Sequence, residues 1–527
     1  MNRADVRVEL SGVPGSGEIQ RILWTAADKL RGSMDAARYK EFLFGLVFLK
    51  YLSDAFDERR DALEEELAAE GTDTGQRARF LEDKDEYIGY GTFWVPAPAR
   101  WNAIAARTGS EDVGRYLDDA VEAVMRENPP LAGVLPKIYG QEDVGWRRLA
   151  ELVSLIGDAR FTGRGVRAAR DVLGEVYADF LDRFSRSEGR RGGDFHTPGS
   201  VGKLLVEMLE PYAGRIYDPA CGAAGMLVRA GKFAAEHQTT AHTGGLAVYG
   251  QEQNERTWRL ARMNLAIHGI EGDLTQGDSF GEDRHSGLKA DFVLSSPPFN
   301  LKDWARNASD PRWRFGVPPQ ANANFAWLQH IIAKLGDSGT AGVVLAGASV
   351  SGGQGREDEI RQALIEADLV ACMVALPPNL FHSTRIPVYL WLLDKDKSPR
   401  GAKNLVDRRG RILFIDAASM GETASRGERA LTDGDLAEIV GTYHAWRGVA
   451  SAGDRRYANL PGFCFSADLA AVRDAGHVLS PNRYIAEAGI ESAAERIERL
   501  TKELYEHFGR ADELTEVVRA QLRRIDG

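Results

Sequence analysis

The sequence predicts an α/β fold, a doubly wound and mostly parallel sheet set between an N-terminal helical domain and a C-terminal helical extension. Three observations predict it. Apolar spacing is helical up to about residue 185, short apolar runs alternate with helical stretches from about residue 192, and helical spacing returns from about residue 486. The expected domains are 1–185, 186–480 and 481–527, the last a helix for subunit association. A chain of 527 residues is long enough for about three domains at roughly 100 to 200 residues each.

Composition narrows the class. Hydrophobic residues are 43% and charged residues 27%, the balance of a folded globular chain and too apolar for a disordered one. Cys221, Cys372 and Cys464 are far apart, with no CxxC pair and no neighbouring His cluster. That pattern argues against a disulfide framework and a metal site, and a reducing cytoplasm is the expected location. No run of about 18 apolar residues occurs, so no membrane span or signal peptide is expected. A net charge of −11 argues against a chain that coats nucleic acid unaided, since phosphate neutralisation needs clustered Lys and Arg.

Taken in order, the first strong element is YKEFLFGLVFLKYLSDAFDERR (39–60), where Phe42, Leu46, Leu49, Leu52 and Phe56 form one helical stripe. The prolines of WVPAPARW (94–101) break that pattern. The strands expected next are 215–218, 246–251, 291–296, 341–346, 369–376, 387–394 and 411–416. Ligands of such sheets bind beyond the carboxyl ends of the strands. In the last segment Ile490, Ile497, Leu500, Leu504, Phe508 and Leu514 share one side of a nearly heptad helix, which packs on its own domain or on another chain.

Chemistry concentrates at the strand ends. DPACGAAG (218–225) follows the first strand of the sheet region and precedes a helical run, so its small residues allow close backbone approach and the helix start offers free N–H groups. An ordinary strand-to-helix turn has the same composition. Glu252 ends the next strand, where a carboxylate can take both hydroxyls of a ribose or merely cap the following helix. Asp278, in QGDSF, could accept from an adenine amino group or serve a common turn. Thr197 is a plausible N-cap and Pro198 suits the first position of the helix that follows.

The most specific segment is Ser296-Pro297-Pro298-Phe299, at the end of a buried strand. Consecutive prolines cannot continue a ladder, so the backbone leaves the sheet as a stiff lip whose carbonyls remain acceptors. Phe299 offers a face for a flipped base. A plain proline strand terminator is the alternative. Just beyond, Lys302, Arg306, Arg312 and Arg314, with Trp313, form a basic and aromatic group that is either a DNA contact or a solvated loop.

In this order the segments ILWTAADKLRG, FLFGLVFLKYLSD, GRRGGDFHTP, DPACG, YGQE, RMNLAIHG, PPFNLKDW, RWRFGVPP and ALPPNLFHSTRIPVYLWLL resemble the methylation subunits of type I restriction-modification systems, which are N6-adenine DNA methyltransferases. The likeness covers nearly the whole chain. It implies S-adenosylmethionine as cofactor and a catalytic domain of the methyltransferase type that uses it. Asp194, Phe195, His196, Thr197 and Pro198 would hold the methionine end, Asp218, Gly222, Ala223, Ala224 and Gly225 the cradle, Glu252 the ribose and Asp278 the adenine. Ser296 and the Pro297 carbonyl would polarise the target amino group, and Phe299 would stack.

The resemblance also implies partners: double-stranded DNA, a specificity subunit that selects the site, a second copy of this chain joined through that subunit, and a motor-nuclease restriction subunit. The stretch GVPGSGE (12–18) lacks the Lys-Ser/Thr ending of a phosphate loop, so this chain is not expected to be the ATP-driven one. Two departures stand out. The family writes Asn where this chain has Ser296, and Ser/Thr-Gly-Gly where it has Ala223-Ala224. Ser-Pro-Pro-aromatic is more usual in N4-cytosine enzymes, which leaves N4-cytosine methylation as an alternative, and the two departures together leave a catalytically impaired scaffold as another. Methylation of a protein glutamine amide also uses an Asn-Pro-Pro-Tyr lip, but the helical N-terminal domain and the C-terminal helix speak against it.

Overall fold

The computed structural model describes residues 16–30, 36–141, 144–159, 174, 177, 197–238, 244–351, 355–381, 386–399, 405–425, 428–485, 501, 505 and 508. Asp194, Phe195 and His196, the expected boundary at 185/186 and nearly all of the C-terminal helix lie outside them.

The N-terminal region is helical, and its longest element is Ala36–Ala69. The expected single stripe is corrected here, because every residue from 41 to 53 is buried. Such a run reads as a stripe only when half of it faces water. This one is wrapped on all sides, and its buried Lys50 is paired with Asp54 one turn on. Past Asp54 a true stripe emerges through Phe56, Leu63 and Leu67.

That helical core reaches into the sheet region. Leu260, Met263 and Ile267, on helix Glu255–His268, belong to the same apolar cluster as Phe44 and Phe48. Polar contacts fix the register: Arg259 pairs with Glu41 at 2.7 Å, and the Tyr177 hydroxyl donates to the Leu260 carbonyl at 2.9 Å. Arg262 donates to the carbonyls of Ala132 and Pro130. The helix that follows the Glu252 strand is thereby clamped from outside.

The sheet region holds β1 Gly214–Asp218, β2 Leu246–Glu252, β3 Gly272–Gln276, β4 Ala290–Ser295, β5 Leu335–Ala346, β6 Val370–Ala375, β7 Val388–Asp394, β8 Arg411–Asp416 and β11 Cys464–Asp468. Two further strands, β9 Glu422–Ser425 and β10 Glu428–Ala430, form a separate hairpin. The large sheet runs β11-β8-β6-β7-β5-β4-β1-β2-β3. It is parallel except that β7 opposes β5 and β6, and β11 opposes β8. All seven expected strands are present. β3, whose only buried residue is Leu274, and β11 are too polar to announce themselves by an apolar run.

The sheet's core runs past the expected boundary at 480. Tyr484 stacks on Phe414 with ring centroids 3.9 Å apart, and Ile485 joins the same cluster. Among the described residues no helix is long and apolar enough to cross a membrane. From β1 the chain winds outward to β2 and β3, then returns to place β4 on the other side of β1. Loops leaving β1 and β4 therefore diverge and open a crevice at this switch point.

Candidate active site

β1 delivers Asp218 to the crevice. Ile216 and Tyr217 pack on opposite faces of the sheet, and Pro219 ends the ladder. Asp218 is 1% exposed, and its Oδ1 accepts from the Ala220 N–H at 3.0 Å and the Ser295 hydroxyl at 2.9 Å. Burial pushes this carboxyl up to about 7, with Glu252 adding to the rise and the two hydrogen bonds opposing it. The turn then passes through two left-handed residues, Gly222 at φ 54° and Ala224 at φ 61°, into helix Gly225–Glu236. A Cβ placed on Gly222 or Gly225 would meet no atom of the described residues within 4 Å, so this backbone faces open space among them.

Glu252 is stitched to that turn. Its Oε2 accepts from the Gly222 N–H at 3.0 Å and its Oε1 from the Asn254 N–H at 2.8 Å. The helix-capping alternative falls to Asn254, whose side chain accepts from Arg256 and Thr257. Asp278 closes a short turn by accepting from the Phe280 N–H at 2.9 Å, and Ser279 Oγ donates to the Pro219 carbonyl at 2.6 Å. Asp218, Gly222, Glu252 and Asp278 are thus linked across the tips of β1, β2 and β3. Ala223 accepts from Asn264 through its carbonyl.

Beside them β4 ends in the lip. Ser295 is fully buried against Asp218, whereas Ser296, 6% exposed, has a buried hydroxyl oxygen with no hydrogen-bond partner among the described residues. Pro297 is buried and Pro298 half-buried. Asn300, at φ 53°, ends the lip in a reciprocal amide pair: its N–H donates to Asn324 Oδ1 at 3.0 Å, and Asn324 Nδ2 donates back to Asn300 Oδ1 at 2.9 Å. The expected open face of Phe299 is corrected. The residue is 8% exposed, with the Phe381 ring edge-on at 5.7 Å and Leu376 and Leu380 in the same apolar cluster.

The remaining expectations divide. Pro198, not Thr197, is the N-cap of helix Gly199–Leu209; its extended ψ of 140° holds it outside the helix while its carbonyl accepts from Val201 and Gly202. Lys302 and Arg314 are exposed. Arg306 is half-buried and donates to the Pro318 carbonyl. Arg312 is corrected as a DNA contact, for all its donors are spent on Asp310, His330 and the carbonyls of Ser279 and Phe280. Sequence reading missed Ser279, Ser295 and the Asn300–Asn324 pair, since short polar residues in turns look alike until their partners are known. Asn254 was visible in principle, as an Asn preceding a helical run.

The N-6 DNA methylase family matches residues 168–493 and the HsdM N-terminal domain residues 19–156. The chain is 41% identical over 454 residues to the methylase subunit of type I restriction enzyme HindI from Haemophilus influenzae, covering 81% of this chain and 99% of that one. It is 36% identical to the MjaIX methylase subunit of Methanocaldococcus jannaschii, covering 89% and 84%. A type I restriction-modification methyltransferase subunit from Streptococcus thermophilus has the same fold, with a TM-score of 0.72 at 23% identity over 90% of this chain and all of that one. These findings favour neither N4-cytosine chemistry nor a scaffold without activity. With a relative aligned almost end to end and one family profile covering most of the chain, the protein belongs to the N-6 DNA methylases, as the DNA-methyltransferase subunit of a type I restriction-modification system.

Proposed function

We propose that the crevice between β1 and β4 methylates the N6 amino group of an everted adenine, with S-adenosylmethionine as donor. The observation that carries this reading is the buried hydroxyl of Ser296, without a partner among the described residues, at the end of β4 and next in chain to the residue that hydrogen-bonds Asp218. An unsatisfied buried hydroxyl costs about 1–3 kcal/mol, and a substrate amino group would relieve that cost. The cradle fits the cofactor, because the backbone at Gly222 and Gly225 faces open space in front of a helix start.

Bound there, the cofactor would supply an electrophilic methyl group. Asp218 and the turn from Gly222 through Ala223 and Ala224 to Gly225 would hold it, Glu252 would orient the ribose and Asp278 the adenine, with Thr197 and Pro198 and the preceding 194–196 toward its methionine end. Ser296 and the Pro297 carbonyl would accept from the target amino group, drawing its lone pair out of conjugation with the ring. Phe299 would stack on the base once Phe381 withdraws. Positioning and electrostatics do the remaining work, with no covalent enzyme intermediate.

Lys302, Arg306 and Arg314 would meet DNA phosphate beside the lip. The chain would work on double-stranded DNA in the cytoplasm, at sites chosen by a specificity subunit that joins two copies, with a motor-nuclease subunit added for cleavage. Its domains would be 1–185, 186 to about 485, and a C-terminal helix for assembly.

Mass-resolved nucleoside analysis of DNA methylated by the reconstituted complex tests the reading. N6-methyladenine is expected, and N4-methylcytosine would overturn the base assignment. Ser296→Asn tests the lip itself: loss of transfer identifies serine as the working residue, whereas a large gain identifies an impaired site.

A further inference from the structure

We propose that Arg312 is a positioning residue for the adenine end of the cofactor site, and that the post-lip segment 301–319 acts on methyl transfer through it. This rests on the reading of Asp278 given above. Arg312 Nη1 donates to the Ser279 carbonyl at 2.7 Å and Nη2 to the Phe280 carbonyl at 2.8 Å, the two residues after Asp278. Its Nε and Nη2 also engage the Asp310 carboxylate, and Nη1 meets His330 Nδ1 at 2.8 Å. A guanidinium has five N–H donors and no acceptor. Every one is used inside the chain, and the ion pair is only 12% and 11% exposed on its two sides.

The surroundings leave no slack. His330 is fully buried, and burial, with the charges of Arg312 and Lys334 close by, holds its ring neutral. Since the guanidinium can only donate, Nδ1 must accept, which leaves the ring proton on Nε2, facing the Tyr217 hydroxyl at 3.5 Å. Phe280 is gripped by Trp327 and Trp304, at 4.2 and 4.8 Å between ring centroids. From the other side Ser279 Oγ reaches the Pro219 carbonyl at 2.6 Å. One continuous path of hydrogen bonds thus joins the post-lip segment to the Asp278 turn, and that turn to the loop after Asp218. A guanidinium so engaged would have to abandon two carbonyls and a carboxylate to reach a phosphate, whereas the exposed Arg314 would not.

The test uses the full chain with its specificity subunit. S-adenosylmethionine binding is measured without DNA by equilibrium dialysis, and binding of a target duplex without cofactor as a function of salt. Arg312→Lys, which keeps the charge and loses the fork, is expected to weaken cofactor binding about tenfold. Ser279→Ala, which cuts the link to Pro219 and a hydroxyl contact with Tyr217 but leaves the guanidinium in place, is expected to weaken it about threefold. In both, KM for the cofactor rises while kcat at saturation, duplex affinity and its salt slope hold. Unchanged cofactor binding, with weaker duplex binding and a log–log salt slope smaller by about one, would make Arg312 a phosphate contact and overturn the proposal. Should Arg312→Lys fail to fold, Ser279→Ala decides alone. Failure of the wild-type complex to bind cofactor would defeat the underlying reading instead.

Discussion

The two halves of the crevice are finished to different degrees. On the β1–β3 side, the Asp218 carboxylate, the Gly222 N–H, the Glu252 carboxylate and the Ser279 hydroxyl are partnered across three neighbouring strand tips. On the β4 side, the Ser296 hydroxyl is buried without a partner among the described residues and the Phe299 ring has Phe381 against it. A hydrogen-bonded turn between adjacent strands assembles with the sheet itself and needs nothing else. A lip covered by a distant segment is complete only when something moves that cover and pairs the orphaned oxygen. On the proposed reading, the cofactor half is preorganised, while the base half is completed by DNA.

The largest effect should come from breaking the finished half. Glu252→Ala removes the acceptor of two backbone N–H groups, each a charge-assisted hydrogen bond. Cofactor affinity is expected to fall by about 2–3 kcal/mol, or roughly 30- to 150-fold, as isothermal titration would report. Normal affinity in a folded variant would remove Glu252 from the site. Next comes the covered half. Phe299→Leu keeps an apolar filler beneath Phe381 but loses the aromatic face, and base stacking is worth about 1–3 kcal/mol. Transfer to duplex DNA should drop at least about fivefold while cofactor affinity stays unchanged. A parallel loss of both would show that the halves are not separable.

Legibility in the sequence follows the same division. Local chemistry was readable: strand ends at Asp218 and Glu252, the Gly-rich turn and the proline lip all declare themselves within a few residues. What depends on partners distant in sequence was not. Phe299 looked open because nothing near it announces Phe381, and Arg312 looked like a DNA contact because basic and aromatic residues interleave there. Its partners Ser279, Phe280 and His330 arrive from other elements. The all-round burial of 41–53 escaped for a related reason, since a stripe is evident in sequence while the second layer that covers its back is not.

A smaller effect distinguishes Asp218 from its neighbours by pH. In the folded chain its carboxyl is raised to about 7 from the ordinary 3.8, so between those values the folded state holds the proton that the unfolded chain releases. The resulting stabilisation is full below about 4 and is lost as pH rises through about 7. Asp218→Asn still accepts from Ala220 and Ser295 but cannot ionise. Relative to wild type, the variant should therefore melt higher at pH 8 than at pH 5. A pH-independent difference would show that the buried carboxyl is not perturbed, weakening the picture of a dry, prearranged turn.

The finest test compares two left-handed positions within that turn. A left-handed backbone costs an L-residue roughly 1–2 kcal/mol. Gly222 avoids this cost at φ 54°, and a Cβ there would meet no atom of the described residues within 4 Å. Gly222→Ala should therefore lose about that amount of stability through strain alone, and its methyl would project into the proposed cradle and weaken cofactor binding as well. Ala224 already bears the strain at φ 61°, yet its methyl is buried in the core behind β1. Replacement by glycine relieves the strain but forfeits buried methyl surface worth about 0.8 kcal/mol and gives the unfolded chain about 0.5–1 kcal/mol of extra freedom. These terms nearly cancel, so Ala224→Gly should shift stability by less than about 1 kcal/mol in denaturant titrations. That balance explains how the turn keeps an alanine in a left-handed conformation. A gain well above that size would mean that the cradle stores strain the core does not offset.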